Sequence, residues 1–184
     1  TDAVGNSYTL YEYVFKPKNY NSSINTKKVP KIYMDGSIHG FEKCSTFGLY
    51  FFLKDLVTNW KKNHALEAIR RGVEIHVIPV SNPHGFDRNS YMNGNDVNIN
   101  RNFDHPGEWI VVDSGSDKNG LAAFDQPESA TIRDWILADE ANMLCYMNLH
   151  TNGQWNASSL SEMNACMTSN DRRDKYFNRI FRGF

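Results

Sequence analysis

Short apolar stretches and longer amphipathic segments alternate along the chain. Stretches rich in aromatic and aliphatic residues, each bounded by polar or turn-forming residues, predict β-strands at 8–15, 31–35, 73–80 and 143–149. Helical periodicity and helix start and stop residues predict helices at 41–62, 65–71, 125–142 and 171–181. Strands that alternate with helices indicate an α/β fold, a sandwich around a largely parallel or mixed sheet.

A long polar segment separates the third predicted strand from the next helix. Residues 81–85, Ser-Asn-Pro-His-Gly, predict a turn that closes the strand. Residues 86–119 are rich in Asn, Asp and Gly and predict a loop. Loops of this length are uncommon in compact domains and are often functional, so this segment is a candidate for functional residues.

Length and charge narrow the classes of function. The chain has 184 residues, enough for one core, with 20 Lys and Arg, 21 Asp and Glu and a net charge of −1. No basic block stands out, which argues against nucleic acid as the main partner. The longest apolar run, residues 47–53, is far short of the ~20 residues that a membrane span needs. The chain begins with Thr1 rather than Met, so we expect a processed, trimmed or excerpted sequence.

A histidine and a glutamate three residues apart follow the second predicted strand. His39 and Glu42 lie where a helix is predicted to begin, and residues at i and i+3 of a helical turn face the same side. His150 directly follows the strand at 143–149. If the two strands are parallel neighbours, all three side chains converge beyond the strands' carboxyl ends. Two His and one Glu form a ligand set of catalytic zinc, although an isolated H-x-x-E arises often by chance.

Three more motifs follow the H-x-x-E in order. They are Asn82-Pro83-His84-Gly85, Asn100-Arg101-Asn102-Phe103 and Leu149-His150-Thr151. The series resembles the zinc carboxypeptidase family, in which H-x-x-E is followed by N-P-D-G, N-R-N-F/W and a lone His after a strand. The resemblance extends from Tyr8 to Asn152, and its motifs are specific in combination. It implies a three-layer α/β/α sandwich around a mixed, largely parallel sheet.

The resemblance also implies roles for the residues that match the motifs. His39, Glu42 and His150 would hold one zinc ion. Asn100 and Arg101 match the family's pair that holds the terminal carboxylate of the substrate, a role that suits a guanidinium fork and an amide donor. The implied partner is therefore a peptide with a free C-terminal carboxylate.

Three other positions match the family less closely. Arg88 is the candidate for the arginine that polarises the scissile carbonyl, and a solvated loop arginine is an equal alternative. His84 stands where the family has Asp, and Asn98 stands two residues before Asn100 where the family usually has Asp. The last two differences affect the support of the site more than its ligands.

The general base of the family is a Glu on a late strand, well after the third ligand. After His150 the chain has a single Glu, Glu162, in a polar loop, and it is not assigned this role. We therefore expect residues 1–184 to form one partial domain, incomplete at both ends, that binds zinc but hydrolyses poorly by itself. The resemblance also favours a secreted or extracellular location.

Other functions fit the same motifs. His39-Gly40-Phe41-Glu42 and Leu149-His150-Thr151 also match deacylases that resemble aspartoacylase, whereas the N-P-x-G and N-R-N-F motifs favour a peptidase. A peptidoglycan-trimming peptidase and a non-catalytic zinc-binding remnant are further alternatives. The preferred substrate side chain and the oligomeric state stay open.

Overall fold

The computed structural model of the protein describes residues 7–20, 29–105, 107–138 and 142–151, together with the backbone of a strand at 165–167. The strands are β1 (Tyr13–Phe15), β2 (Lys31–Gly36), β3 (Glu74–Ile78), β4 (Met143–Leu149) and β5 (Ala165–Met167). The α-helices are α1 (Lys43–Thr58), α2 (His64–Gly72), α3 (Pro83–Arg88) and α4 (Pro127–Leu137). Among these described residues, no helix is both long and apolar enough to cross a lipid bilayer.

The five strands form one mixed sheet in the order β1-β3-β2-β4-β5. The three central strands are parallel, and β1 and β5 pair antiparallel at the two edges. At the carboxyl ends of β2 and β4, Gly36 pairs with Leu149. The two strands predicted to precede the candidate metal ligands are thus parallel neighbours that end at the same edge.

Helices cover both faces of this sheet. On one face, alternate strand residues pack with α1 into an aliphatic core of Ile32, Met34, Ile75, Val77, Cys145, Met147, Leu149, Leu49 and Leu56. On the other face, Tyr33 of β2 packs edge-on against Trp135 of α4, with ring centroids 4.8 Å apart. Ile132 of α4 is fully buried beside Ile38 and Ile99. The protein is therefore a three-layer α/β/α sandwich, as predicted.

A buried aspartate connects the ends of the three parallel strands. Asp35 of β2 accepts hydrogen bonds from Ser81 Oγ, just after β3, at 2.6 Å and from Asn148 Nδ2 of β4 at 2.8 Å. Burial raises the pKa of Asp35, and these hydrogen bonds oppose that effect. The network fixes the carboxyl ends of β2, β3 and β4 relative to one another.

His76 in the middle of β3 connects the edge strand and α4 to the sheet. Its Nδ1 contacts Glu12 Oε1, and its Nε2 lies 2.8 Å from Glu74 Oε1. Trp135 of α4 donates its indole N–H to the same Glu12 oxygen at 2.7 Å. Both nitrogens of His76 therefore contact carboxylates within the fold.

The elements differ from the predicted ones mainly at their ends. The segment predicted as one helix at 41–62 divides at Asn59, and Asn63 begins α2 by accepting hydrogen bonds from two backbone amides. The strand predicted at 8–15 is regular only at Tyr13–Phe15. The turn predicted at 81–85 begins α3, with Asn82 as N-cap. β5 was not predicted, and the helix predicted at 171–181 lies outside the described residues.

Candidate metal centre

The carboxyl ends of β2 and β4 bring the three predicted ligands together. His39 follows β2, and a turn in which the Glu42 N–H donates to the His39 carbonyl at 2.9 Å leads into α1. Glu42 is the N-cap residue of α1, so the pair lies in the turn before the helix rather than within it. His150 follows β4 directly. The pairing of β2 with β4 then places His150 beside Glu42.

Both oxygens of the Glu42 carboxylate contact an imidazole. Oε1 lies 3.0 Å from His39 Nδ1, and Oε2 lies 3.0 Å from His150 Nδ1. Oε2 also accepts the backbone N–H of Thr151 at 3.0 Å. The candidate ligand atoms of the three residues all lie within 4.8 Å of one another. The carboxylate is therefore fixed between the two histidines.

The environment keeps Glu42 ionised. Burial opposes its ionisation, but hydrogen bonds from His150 and His39, the nearby charge of His39 and the Thr151 amide outweigh burial and lower the pKa of Glu42 to about 2. A divalent metal needs a deprotonated carboxylate and neutral imidazole nitrogens as ligands. Glu42 is therefore in the form that binds a metal across the neutral pH range.

The donor set fits one zinc ion. Two imidazoles and a carboxylate leave a tetrahedral zinc with one open position, the arrangement of catalytic rather than structural sites. His39 Nε2 is buried and has no hydrogen-bond partner among the described residues. No other cluster of His, Cys, Asp and Glu in the described part of the chain brings three such ligand atoms together.

The backbone around His39 is held by close contact with α3. A Cβ added to Gly40 would lie 1.9 Å from the carbonyl carbon of Gly85, so only glycine fits there. Asn82 caps α3 by accepting the N–H of Gly85 at 2.8 Å and donates its side-chain amide to the Ile38 carbonyl at 3.2 Å. The N-P-H-G motif therefore supports the loop that carries His39. Asn82 and Gly85 of the motif make these contacts, and neither contact involves the side chain of His84.

Tyr91 is a residue of the site that the sequence did not point to. Its ring stacks on His39, with centroids 4.0 Å apart and planes at 15°. Burial raises the pKa of the Tyr91 hydroxyl, so it is protonated at neutral pH. Tyr91 belongs to no recognisable motif, and only the folded loop reveals its position.

The carboxylate-binding pair of the sequence analysis lies in a short 3-10 helix, Ile99–Arg101. Asn98 begins this helix by accepting the N–H of Asn100 at 2.9 Å. Arg101 is exposed, and its Nε donates to Asp117 Oδ1 at 2.9 Å. The guanidinium is thus held through Nε, and its side chain is 46% exposed.

Asn102, the last residue of this motif segment before Phe103, is fully buried and anchors the loop. Its amide group donates to the Asn119 carbonyl at 2.7 Å and to Asp125 Oδ1 at 2.7 Å. Its oxygen accepts the N–H of Gln126 at 3.1 Å and the hydroxyl of Ser129. Asn102 therefore connects the loop to the start of α4 by hydrogen bonds.

The structure does not bring Arg88 to the metal ligands by any contact among the described residues. Arg88 is the last residue of α3, its side chain is 59% exposed, and its Nε lies 3.5 Å from Asp87 Oδ2. Glu162, the one glutamate after His150, lies outside the described residues.

Comparison with known proteins agrees with this geometry. A model of the zinc carboxypeptidase family matches residues 12–183. Carboxypeptidase O of Bos taurus is 25% identical over 179 residues, which cover 84% of this chain and 46% of that protein. Carboxypeptidase A4 of Mus musculus is 27% identical over 145 residues, which cover 70% of this chain and 34% of that protein. The chain spans less than half the length of these relatives.

Solved structures show the same fold. Thrombin activatable fibrinolysis inhibitor is 19% identical and superposes with a TM-score of 0.69, covering 80% of this chain and 40% of that one. Carboxypeptidase A from Helicoverpa armigera is 23% identical, with a TM-score of 0.57 and coverage of 70% and 35%. The match of the family model over most of the chain shows that the protein belongs to the zinc carboxypeptidase family.

Proposed function

We propose that the protein is a zinc-dependent peptidase that hydrolyses the last peptide bond of a substrate with a free C-terminal carboxylate. The observation that carries the proposal is the convergence of His39, Glu42 and His150 within 4.8 Å at the carboxyl ends of two parallel strands. These residues would hold one zinc ion. When bound, zinc activates a water molecule and polarises a carbonyl for hydrolysis.

Asn100 and Arg101 are proposed to bind the substrate's terminal carboxylate. The Arg101 side chain is exposed and held through Nε, so its terminal nitrogens can form two parallel hydrogen bonds with a carboxylate. Asn100 adds a neutral amide donor in the same short helix. Together they would make the enzyme select the chain end and exclude internal peptide bonds.

Arg88 is proposed to stabilise the negative charge that develops on the scissile carbonyl oxygen. Its exposed side chain would have to leave Asp87, a contact of 3.5 Å between two exposed groups, which costs little in water. A secreted or extracellular location is part of the same proposal, and it is supported by the resemblance to the family alone.

The first test is the metal content of the purified chain. Elemental analysis is expected to find about one zinc per chain, and His39→Ala and His150→Ala are expected to lose it because two ligands cannot hold zinc tightly. His64→Ala, at the exposed start of α2, is the matched control and should keep the metal. Folded parent chain without zinc would overturn the proposal.

The second test compares three substrates with the zinc-loaded chain: a short peptide with a free C-terminus, the same peptide as its C-terminal amide, and an N-acetyl amino acid. We expect slow, chelator-sensitive release of the last residue from the free acid only, and an Arg101→Ala variant should lose this selectivity. A low rate is expected because no general base has been identified in the chain. Equal cleavage of the amide would refute carboxylate recognition, and cleavage of the N-acetyl amino acid alone would identify a deacylase. Zinc binding without cleavage of any substrate would favour a non-catalytic module.

A further inference from the structure

We propose that Tyr91 is a positioning residue that fixes the orientation of the metal ligand His39 through its ring. The inference rests on the zinc site of the proposed function and does not depend on recognition of a carboxylate.

The ring of Tyr91 supports the metal ligand from one face. Its plane is nearly parallel to the His39 imidazole, at 15°, with centroids 4.0 Å apart. Phe41 packs against the same tyrosine ring, with centroids 5.5 Å apart. His39 has a contact with Glu42 at Nδ1, and its buried Nε2 has no hydrogen-bond partner among the described residues. The orientation of this imidazole therefore depends on Glu42 and on stacking with Tyr91.

The backbone of Tyr91 is fixed by its neighbours. The carbonyl of Ser90 accepts the N–H of Phe41 at 3.1 Å, and the N–H of Ser90 donates to the Gly85 carbonyl at 2.8 Å. Ser90 Oγ accepts the N–H of Met92 at 3.0 Å. Because the residues on both sides are held, the Tyr91 ring is kept in place against His39.

The ring and the hydroxyl of Tyr91 can be tested separately, because phenylalanine keeps the ring and removes only the hydroxyl.

The experiment compares Tyr91→Phe, Tyr91→Leu and Tyr50→Leu, the last on the exposed surface of α1 as control. Zinc affinity is measured by competition with a chelator. Tyr91→Leu is expected to weaken zinc binding at least about tenfold, the usual effect of losing a group that orients a ligand. Tyr91→Phe is expected to keep zinc affinity within about twofold, because the stacked ring remains. Tyr50→Leu is expected to leave zinc affinity unchanged.

A second measurement separates failure of this inference from failure of the proposed function. The ring-current shift of the His39 ring protons in NMR spectra reports the stacking without metal or substrate, and it should persist in Tyr91→Phe and vanish in Tyr91→Leu. Unchanged zinc affinity in folded Tyr91→Leu would overturn the inference. If the parent chain binds zinc but does not distinguish a free carboxylate from an amide, the proposed function fails while the role of the ring stands or falls on zinc affinity.

Discussion

Single residues decide how closely the segments around the metal centre approach. Gly40 lies between the ligand His39 and Phe41, and the backbone of Gly85 passes directly over it. The contact lets the start of α3 support the loop of the first ligand. Gly40 has no side chain, yet the geometry of the site depends on it.

A Gly40→Ala substitution tests this approach. The new Cβ would lie 1.9 Å from one backbone atom of Gly85 and 2.3 Å from the nitrogen of Phe86, so the two segments must separate. We expect a loss of about 1–3 kcal/mol in the free energy of unfolding, measured by urea denaturation, with weaker zinc binding. Gly72→Ala is the control, because nothing lies within 4 Å of its added Cβ, and it should change stability by less than about 0.5 kcal/mol. Equal stability of the two variants would contradict the close contact.

The sequence predicted the residues of the site that form motifs and not the ones that support them. His39, Glu42 and His150 could be predicted because the strand pattern and the H-x-x-E placed them at strand ends. Tyr91 and Asp117 could not, because each contributes through a contact across a folded loop, and neither spacing nor residue type indicates such a contact.

At the scale of elements, the long loop at 86–119 owes its order to side-chain hydrogen bonds rather than to a regular ladder. Asn102 and Asp125 are central to this order. Asp125 accepts hydrogen bonds from Asn102 Nδ2 at 2.7 Å and from the N–H of Leu121 at 2.7 Å. The stability of the loop that carries Arg101 therefore depends on these polar contacts.

The charge of Asp125 should make this loop sensitive to acid. Burial opposes ionisation, but hydrogen bonds from Gln126, Leu121 and Asn102 outweigh it and lower the pKa of Asp125. A lowered pKa stabilises the fold above the unfolded value of about 3.9, and the stabilisation disappears as pH falls through the folded value. Asp125→Asn is expected to cost about 1 kcal/mol at pH 7, a figure reduced for solvent screening, and progressively less below about pH 4. Urea denaturation at several pH values measures this, with exposed Asp113→Asn as control, and a gap independent of pH would contradict the role of the charge.

The predicted helices and strands agree with the structure where the hydrophobic pattern is clear. They differ where side-chain capping or a very short element hides that pattern. The strand at 143–149 was predicted with its true ends, because an apolar run, interrupted only by Asn148, lies between Asn142 and His150. The helix predicted at 41–62 ends at Thr58 and is followed by a 3-10 turn, and the side chain of Asn63 then accepts two backbone N–H groups and begins α2. α3 was taken for a turn because its six residues are too few to show a helical period.

At the scale of the whole molecule, the candidate metal centre joins segments that are far apart in the chain. His39 and Glu42 belong to the junction of β2 and α1, and His150 follows β4. The α/β class and the sheet's parallel centre could be predicted from alternating periods, but the order of strands could not, because any pair of buried strands has a similar apolar pattern. The pairing of β2 with β4 was a condition of the predicted site, and it is confirmed.

Zinc should therefore stabilise the whole fold. A ligand that binds only the folded state at 100 times its Kd adds about 2.7 kcal/mol, which for a chain of this size raises Tm by about 5–10 °C. We expect this rise on adding zinc to the metal-free chain in thermal unfolding followed by circular dichroism. His150→Ala should show little of it, and an equal rise in that variant would indicate that zinc binds elsewhere.

The distance along the chain between the ligands also sets an order of events during synthesis. Glu42 and His150 are 108 residues apart, and at about 5–20 residues per second the ribosome needs roughly 5–20 s to extend the chain from one to the other. During that interval the nascent chain offers only two of the three proposed ligands, too few to retain zinc against cellular competitors. Under the proposed function, capture of zinc would therefore follow the pairing of β4 with β2, as a late step of maturation.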